Sequence, residues 1–254
     1  MRTRSEKLWI AVERQRIEGT LFVPERQLGP GVLFVHGWGG CQEQYLAEAG
    51  AIAQLGCVCL TFDLRGHAET SELHDTVTRE DNLRDVVAAY DALARRTGVD
   101  KTCIGLVGSS YGGYLGALLL FMRPLHLLAL QAPALYKDDN WLIPKKKLHV
   151  DPDFAAYRRL SLRAEDNRAL GACAQFLGDA LVVESEHDEI IPHPAVANYI
   201  AALANAHSLT YRVIEGADHS LSSPACERAY TELLVGWFSD MMKERLCAPT
   251  SASS

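Results

Sequence analysis

Gly108-Ser109-Ser110-Tyr111-Gly112 is the stretch of this chain in which residue types and spacing most directly suggest chemistry. The central serine follows a short apolar run, Cys103-Ile104-Gly105-Leu106-Val107, and precedes an apolar segment from Gly113 to Met122. The first reads as a buried strand and the second as a buried helix. A strand that turns sharply into a helix at a serine is a nucleophile elbow. Only glycines fit beside so tight a turn, and the turn lifts the Ser110 hydroxyl off the backbone. The helix N-terminus then directs its amides at any oxygen that gains negative charge there.

An alcohol is a poor nucleophile at neutral pH, so Ser110 needs a base, and the base needs an orienting acid. His219 fits the first role, because Glu215-Gly216-Ala217-Asp218-His219 follows the last strand-like run directly. Asp188 fits the second, in the loop Ser185-Glu186-His187-Asp188-Glu189-Ile190-Ile191-Pro192 after the preceding strand, with Glu186 and Glu189 as rival carboxylates. His187 reads as an exposed loop residue and Ser109 as a packing residue. Asp63, Arg65 and His67 read as ties within a loop. Lys145-Lys146-Lys147 reads as a solvated face rather than an attractor of acidic substrates. Trp141, with Leu142 and Ile143, either lines a substrate pocket or anchors a lid. The nine histidines show no H-E-x-x-H or comparable ligand spacing, so neither a metal nor another cofactor is expected.

These side chains can meet only if the elements between them bring their loops to one edge. Two strand-like stretches, Lys7 to Glu13 and Arg16 to Val23, suit an antiparallel hairpin. Further strands are read at Gly31 to Val35, Cys57 to Asp63, the run before the elbow, Leu125 to Leu130, Ala180 to Ser185 and Leu209 to Ile214. Helices are read between them. One spans Glu43 to Leu55, and another begins after Thr78, with Leu83, Val86, Val87, Tyr90, Leu93 and Ala94 along one face. Others lie near Ala195 to Ala204 and Pro224 to Met242. This alternation predicts an α/β fold: a mostly parallel eight-stranded sheet covered on both faces, with the antiparallel hairpin at its N-terminal edge. Residues 135–178 break the rhythm and read as a small lid over the carboxyl ends of the strands, where such sheets bind ligands. The expected organisation is a single domain over residues 1–246 and a frayed tail over 247–254.

With these motifs in order, the chain from about Leu21 to Met242 resembles serine hydrolases of the α/β-hydrolase fold. The resemblance rests on His36-Gly37-Trp38-Gly39-Gly40 after the third strand, Asp63-Leu64-Arg65-Gly66-His67 after the fourth, Gly108 to Gly113 at the elbow, and the Asp188 and His219 loops. The short lid and N-terminal hairpin look more like the esterase, dienelactone-hydrolase and acylaminoacyl-peptidase relatives than long-lidded lipases. Ser185 departs from the family pattern, which usually has glycine before the acid loop. The resemblance implies a catalytic triad of Ser110, Asp188 and His219. It also implies an oxyanion hole made of the backbone N–H groups of Trp38 and Tyr111, with the Trp38 side chain walling the acyl pocket.

Composition narrows the function further. The chain has 254 residues, 48% of them hydrophobic and 22% charged, as in ordinary globular proteins. A formal net charge of −7 argues against nucleic acid and anionic membranes as partners. No run of eighteen apolar residues occurs, and Met1-Arg2-Thr3-Arg4 leads into a strand-like segment rather than an apolar signal core. Seven cysteines without C-x-x-C spacing suit a reducing cytoplasm. The leading expectation is a cofactor-independent hydrolase of small-molecule carboxylic esters with small to medium acyl groups, acting through an acyl-enzyme. A peptidase, thioesterase or acyltransferase would use the same triad. A hydrolase-fold binding protein without turnover is the alternative from another class. Nothing in the pattern sets the oligomeric state.

Overall fold

A computed structural model describes residues 1–25, 28–148 and 151–247. One eight-stranded sheet runs through the molecule. Its strands are β1 (Thr3–Val12), β2 (Gln15–Pro24), β3 (Gly29–Val35), β4 (Val58–Phe62), β5 (Val99–Ser109), β6 (Leu127–Gln131), β7 (Asp179–Ser185) and β8 (Ser208–Ile214). The spatial order is β1-β2-β4-β3-β5-β6-β7-β8. The hairpin β1–β2 is antiparallel, and β2 pairs antiparallel with β4 from Gly19 opposite Phe62 to Phe22 opposite Cys59. Every other pairing is parallel.

The helices are α1 (Leu46–Gln54), α2 (Arg79–Ala94), α3 (Tyr111–Leu119), α4 (Lys145–Leu148), α5 (Phe154–Tyr157), α6 (Arg168–Ala174), α7 (His193–Ala202) and α8 (Pro224–Cys247). Alternate residues of the central strands feed two cores. Leu33 and Val35 of β3 join one, with side chains of α2, α3, α6 and α7. Val32 and Phe34 join the other, with α1 and α8. A strand buried on both faces must be apolar at every position, and this explains why its sequence shows no alternation. Helix α2 begins as its sequence predicts. The Asp81 N–H donates to the Thr78 hydroxyl at 3.1 Å, and the Thr78 N–H donates back to the Asp81 carboxylate at 2.9 Å.

The expected lid segment, 135–178, divides in two. Its last helix, α6, sinks Ala169, Leu170 and Cys173 into the core beside α3, so it belongs to the sheet's covering layer. The part before it carries α4 and α5 and is pinned to the start of α2 by a bridge between Thr78 and Pro144. The expected tail falls outside the described residues except for Cys247, which ends α8. Among the described residues no helix is long and apolar enough to cross a membrane.

Candidate active site

Ser110 sits between the end of β5 and the start of α3 with φ 49° and ψ −113°, a left-handed conformation that a side-chain-bearing residue rarely adopts. Its neighbours explain how the turn closes. A Cβ on Gly112 would lie 2.1 Å from the Val35 carbonyl oxygen, and one on Gly108 would lie 2.7 Å from that of Gly112. Neither distance admits a methyl group, so both glycines are required by close backbone approach.

The Ser110 hydroxyl donates to His219 Nε2 at 3.0 Å, and His219 Nδ1–H donates to Asp188 Oδ2 at 2.6 Å. The other oxygen of Asp188 accepts the N–H groups of Ile190 at 2.9 Å and Ile191 at 2.7 Å. Those two amides hold the carboxylate in one orientation and leave Oδ2 for the imidazole. The ring is thereby fixed with Nδ1 protonated and Nε2 bare toward the serine. The Asp188 side chain is 3% exposed and that of His219 16%, so the relay is sheltered but open at the serine end. Of the rival carboxylates, Glu186 accepts instead from the Gly216 N–H at 2.7 Å.

A residue absent from the sequence reading joins these loops. Gln131, a polar residue closing an otherwise apolar strand, accepts the Ser109 hydroxyl and donates to the His219 carbonyl and the Ser185 hydroxyl, each at 3.4 Å. Ser109 is therefore a tie between elbow and histidine loop as well as a packing residue. Ser185, the departure from the family's glycine, takes part in the same network.

The loop after β3 is braced just as closely. His36, fully buried, donates from Nδ1 to the Gly37 carbonyl at 2.7 Å and accepts the Leu64 N–H at Nε2. Burial pushes its pKa down to about 3, with help from neighbouring His67. His67 Nε2 accepts the Gly39 N–H at 3.0 Å. Asp63 holds both the N–H and the side-chain amide of Gln42 at 2.8 Å. The backbone N–H of Arg65 donates to Asp85 at 2.9 Å, and its guanidinium reaches Asp85 and Glu13. The Asp63–His67 motif thus positions the Trp38 loop from behind and contributes no side chain to the cavity at Ser110.

That cavity has a volume of about 400 Å³. Gly37, Trp38, Ser110 and His219 line it, together with Gln44, Glu48, Glu227 and Tyr230. Trp141 is not among its lining residues. Its indole N–H donates to Glu80, and the guanidinium carbons of Arg79 and Arg168 lie 4.9 and 4.7 Å from its ring. These contacts tie the segment before α6 to the first turns of α2 and α6.

The three lysines correct the expectation of a solvated face. Lys146 is exposed and pairs with Asp75 at 2.7 Å, but Lys145 is wholly buried. Its Nζ lies 4.5 Å from the Trp38 ring, 4.7 Å from Tyr111 and 4.9 Å from Tyr136. Burial, reinforced by Arg158 and Arg79, pushes its ammonium well below the usual lysine range. Nothing in a run of three identical residues indicates which one turns inward. Among the described residues no cluster of metal-ligating side chains occurs.

An eight-stranded α/β sheet with a strained serine at a strand–helix turn, hydrogen-bonded to a histidine and through it to an aspartate, defines an α/β-hydrolase of the serine hydrolase class. The chain belongs to the prolyl oligopeptidase family, whose model matches residues 43–245. No curated protein sequence matches it significantly. Among solved structures, it is similar to a dienelactone hydrolase from Anabaena variabilis at 19% identity and TM-score 0.66, covering 94% of this chain and 98% of that one. Est1E from Butyrivibrio proteoclasticus, solved with ferulic acid bound, is similar at 18% identity and TM-score 0.69, covering 94% and 99%. An acylaminoacyl peptidase from Pyrococcus horikoshii is similar at 18% identity and TM-score 0.70, covering 99% of this chain but 43% of that one.

Proposed function

We propose that the protein hydrolyses carboxylic esters of small to medium acyl groups through an acyl-enzyme on Ser110. The observation that carries this reading is the continuous chain from the Ser110 hydroxyl through His219 to Asp188. His219 Nε2 takes the hydroxyl proton as Ser110 Oγ attacks the acyl carbon. The carbonyl oxygen becomes an oxyanion between the backbone N–H groups of Trp38 and Tyr111. Tyr111 is the first residue of α3, where helical amides have no intrahelical acceptor. Fixed donors of this kind stabilise the developing charge without reorganising, and one side-chain donor is typically worth about 10²–10³ in turnover. The tetrahedral species collapses, and His219 returns its proton to the leaving alcohol. Water then attacks the acyl-enzyme with His219 again as base. No step calls for a cofactor.

Wild type should react with a fluorophosphonate, and Ser110→Ala should abolish both labelling and hydrolysis of p-nitrophenyl esters. An unlabelled folded protein would instead support a binding module. Protonated His219 cannot accept the serine proton, so the rate should fall toward acid pH. A rate that does not fall as the solution is made acid overturns the role of His219.

Membership of the prolyl oligopeptidase family favours a second reading, cleavage of aminoacyl amides. This chain spans nearly all of the dienelactone hydrolase and Est1E and less than half of the peptidase. Side-by-side rates on matched ester, thioester and amide substrates decide between them.

A further inference from the structure

Lys145 is a buried titratable group that the reaction as written does not use, and its surroundings are specific. It is fully buried, and its Nζ faces the rings of Trp38, Tyr111 and Tyr136 at 4.5, 4.7 and 4.9 Å from their centroids. Two of those three residues carry the backbone amides assigned above to the oxyanion hole. They come from different parts of the chain, one from the loop after β3 and one from the first position of α3. Their rings meet edge to face at 5.8 Å, and the lysine lies within reach of both.

The lysine is itself held from a rigid element. Its N–H donates to the Val77 carbonyl at 2.8 Å, and the adjacent Pro144 forms a bridge with Thr78, the N-cap of α2. Tyr111 is tied to the same helix, since its hydroxyl donates to Asn82 at 3.1 Å. The Trp38 ring is enclosed on further sides by His67 at 4.9 Å and His74 at 4.8 Å. Arg79 and Arg158 also stand near Tyr136, with their guanidinium carbons 5.9 and 5.3 Å from its ring. An ammonium over an aromatic face gains most when it is desolvated, and a neutral amine can still donate an N–H to the same face.

We infer that Lys145 is a positioning residue for the oxyanion hole: by seating on the rings of Trp38 and Tyr111 together, it holds their two backbone amides in register. The inference rests on the proposed serine-hydrolase reading. It assigns to the lid segment a catalytic consequence, because the lid carries the side chain that sets the spacing of two donors belonging to the sheet's carboxyl edge. A misplaced donor pair binds the ground-state ester about as well but loses the developing charge. The signature is therefore in kcat rather than KM.

The test compares wild type with Lys145→Met, which keeps the length of the side chain and removes the amine. On a p-nitrophenyl ester, kcat is expected to fall by about tenfold or more while KM stays within about twofold. Affinity for a trifluoromethyl ketone, whose adduct places an oxyanion in the hole, should fall by the same factor. A role confined to folding would lower the melting temperature and leave the two kinetic readouts of the folded protein unchanged, and that result overturns the inference. Trp38→Leu keeps the amide and removes one ring, and the two substitutions should be non-additive when combined. Independent, additive losses overturn the inference as well. If Lys145→Met does not fold, Trp38→Leu alone decides: the inference requires parallel losses in kcat and analogue affinity, and an unchanged kcat ends it. Wild type that neither labels at Ser110 nor turns over any ester, thioester or amide refutes the hydrolase reading, and this inference falls with it.

Discussion

Asp188 does two jobs with two oxygens. One is occupied by the amides of Ile190 and Ile191, and the other faces the imidazole. An amide side chain at this position could still accept from the backbone, but its NH₂ could face His219 Nδ1 only by forcing the other tautomer. Nε2 would then carry a proton and could not accept one from Ser110. Asp188→Asn should therefore fold normally and lose about 10³–10⁴ in kcat, the order known for wrong-tautomer variants of such triads. Steady-state kinetics beside a thermal melt check this. A variant within tenfold of wild type would show that Asp188 does not orient the base. Position alone does not separate Asp188 from Glu186 or Glu189, since all three lie on one loop. The two backbone amides make the choice, together with the different engagement of Glu186 by Gly216.

At the scale of elements, the elbow shows how tightly the β5–α3 turn is built against β3. The backbone of Gly112 approaches the Val35 carbonyl so closely that a methyl group would sit 2.1 Å from it. Gly112→Ala must push α3 away from the central strand. It should cost about 3 kcal/mol or more, or prevent folding, as overpacking at a buried site does. Chemical denaturation of the variant measures this, and a loss under about 1 kcal/mol would mean that the helix can shift freely. The pentad alone makes this glycine legible in the sequence. The identity of α6 was not legible in the same way. Its residues sit in a polar, proline-punctuated stretch, and only packing against α3 shows that Ala169, Leu170 and Cys173 belong to the core. Likewise, the antiparallel pairing of β2 with β4 leaves no local trace, because a hairpin can attach to a sheet by either strand.

At the scale of the whole molecule, buried charge and the shape of the cavity set the response to pH and to substrate. His36 must stay neutral when folded, since Nδ1 donates to Gly37 while Nε2 accepts from Leu64. Its folded pKa of about 3 lies below the unfolded value of 6.5, so its contribution is complete above pH 6.5 and is lost as pH falls toward 3. The loss approaches about 1.4 kcal/mol per pH unit once the unfolded state is protonated. Asp85 acts in the opposite sense. Burial pushes it up to about 6, so the folded state takes up its proton first and gains stability as pH falls through that value. The difference between wild type and His36→Gln, followed by urea unfolding from neutral to acid pH, isolates the histidine. The variant should show the shallower acid loss, and equal slopes would refute the assignment. The cavity predicts selectivity. Among the described residues lining it, Glu48 and Glu227 are acidic and none is lysine or arginine. An ester ending in a carboxylate should be hydrolysed more slowly than its neutral isostere, by about threefold to tenfold at low salt, with the gap closing as salt screens it. A gap that persists unchanged at high salt would have a steric cause instead.

The alternation of strands and helices, the serine between its glycines, and the order serine, aspartate, histidine could all be read directly along the chain. Each depends on neighbours within a few residues: apolar period, turn chemistry and helix capping are local properties. The converse holds for what the linear order left open. The serine and histidine are 109 positions apart and the histidine and aspartate 31, so whether they meet depends on strand order and loop packing. Trp141 turned to α2 and α6, Gln131 joined two loops, and the first of three lysines became the buried one. In each case the deciding partners lie on other elements, and a side chain's environment exists only once those elements have packed.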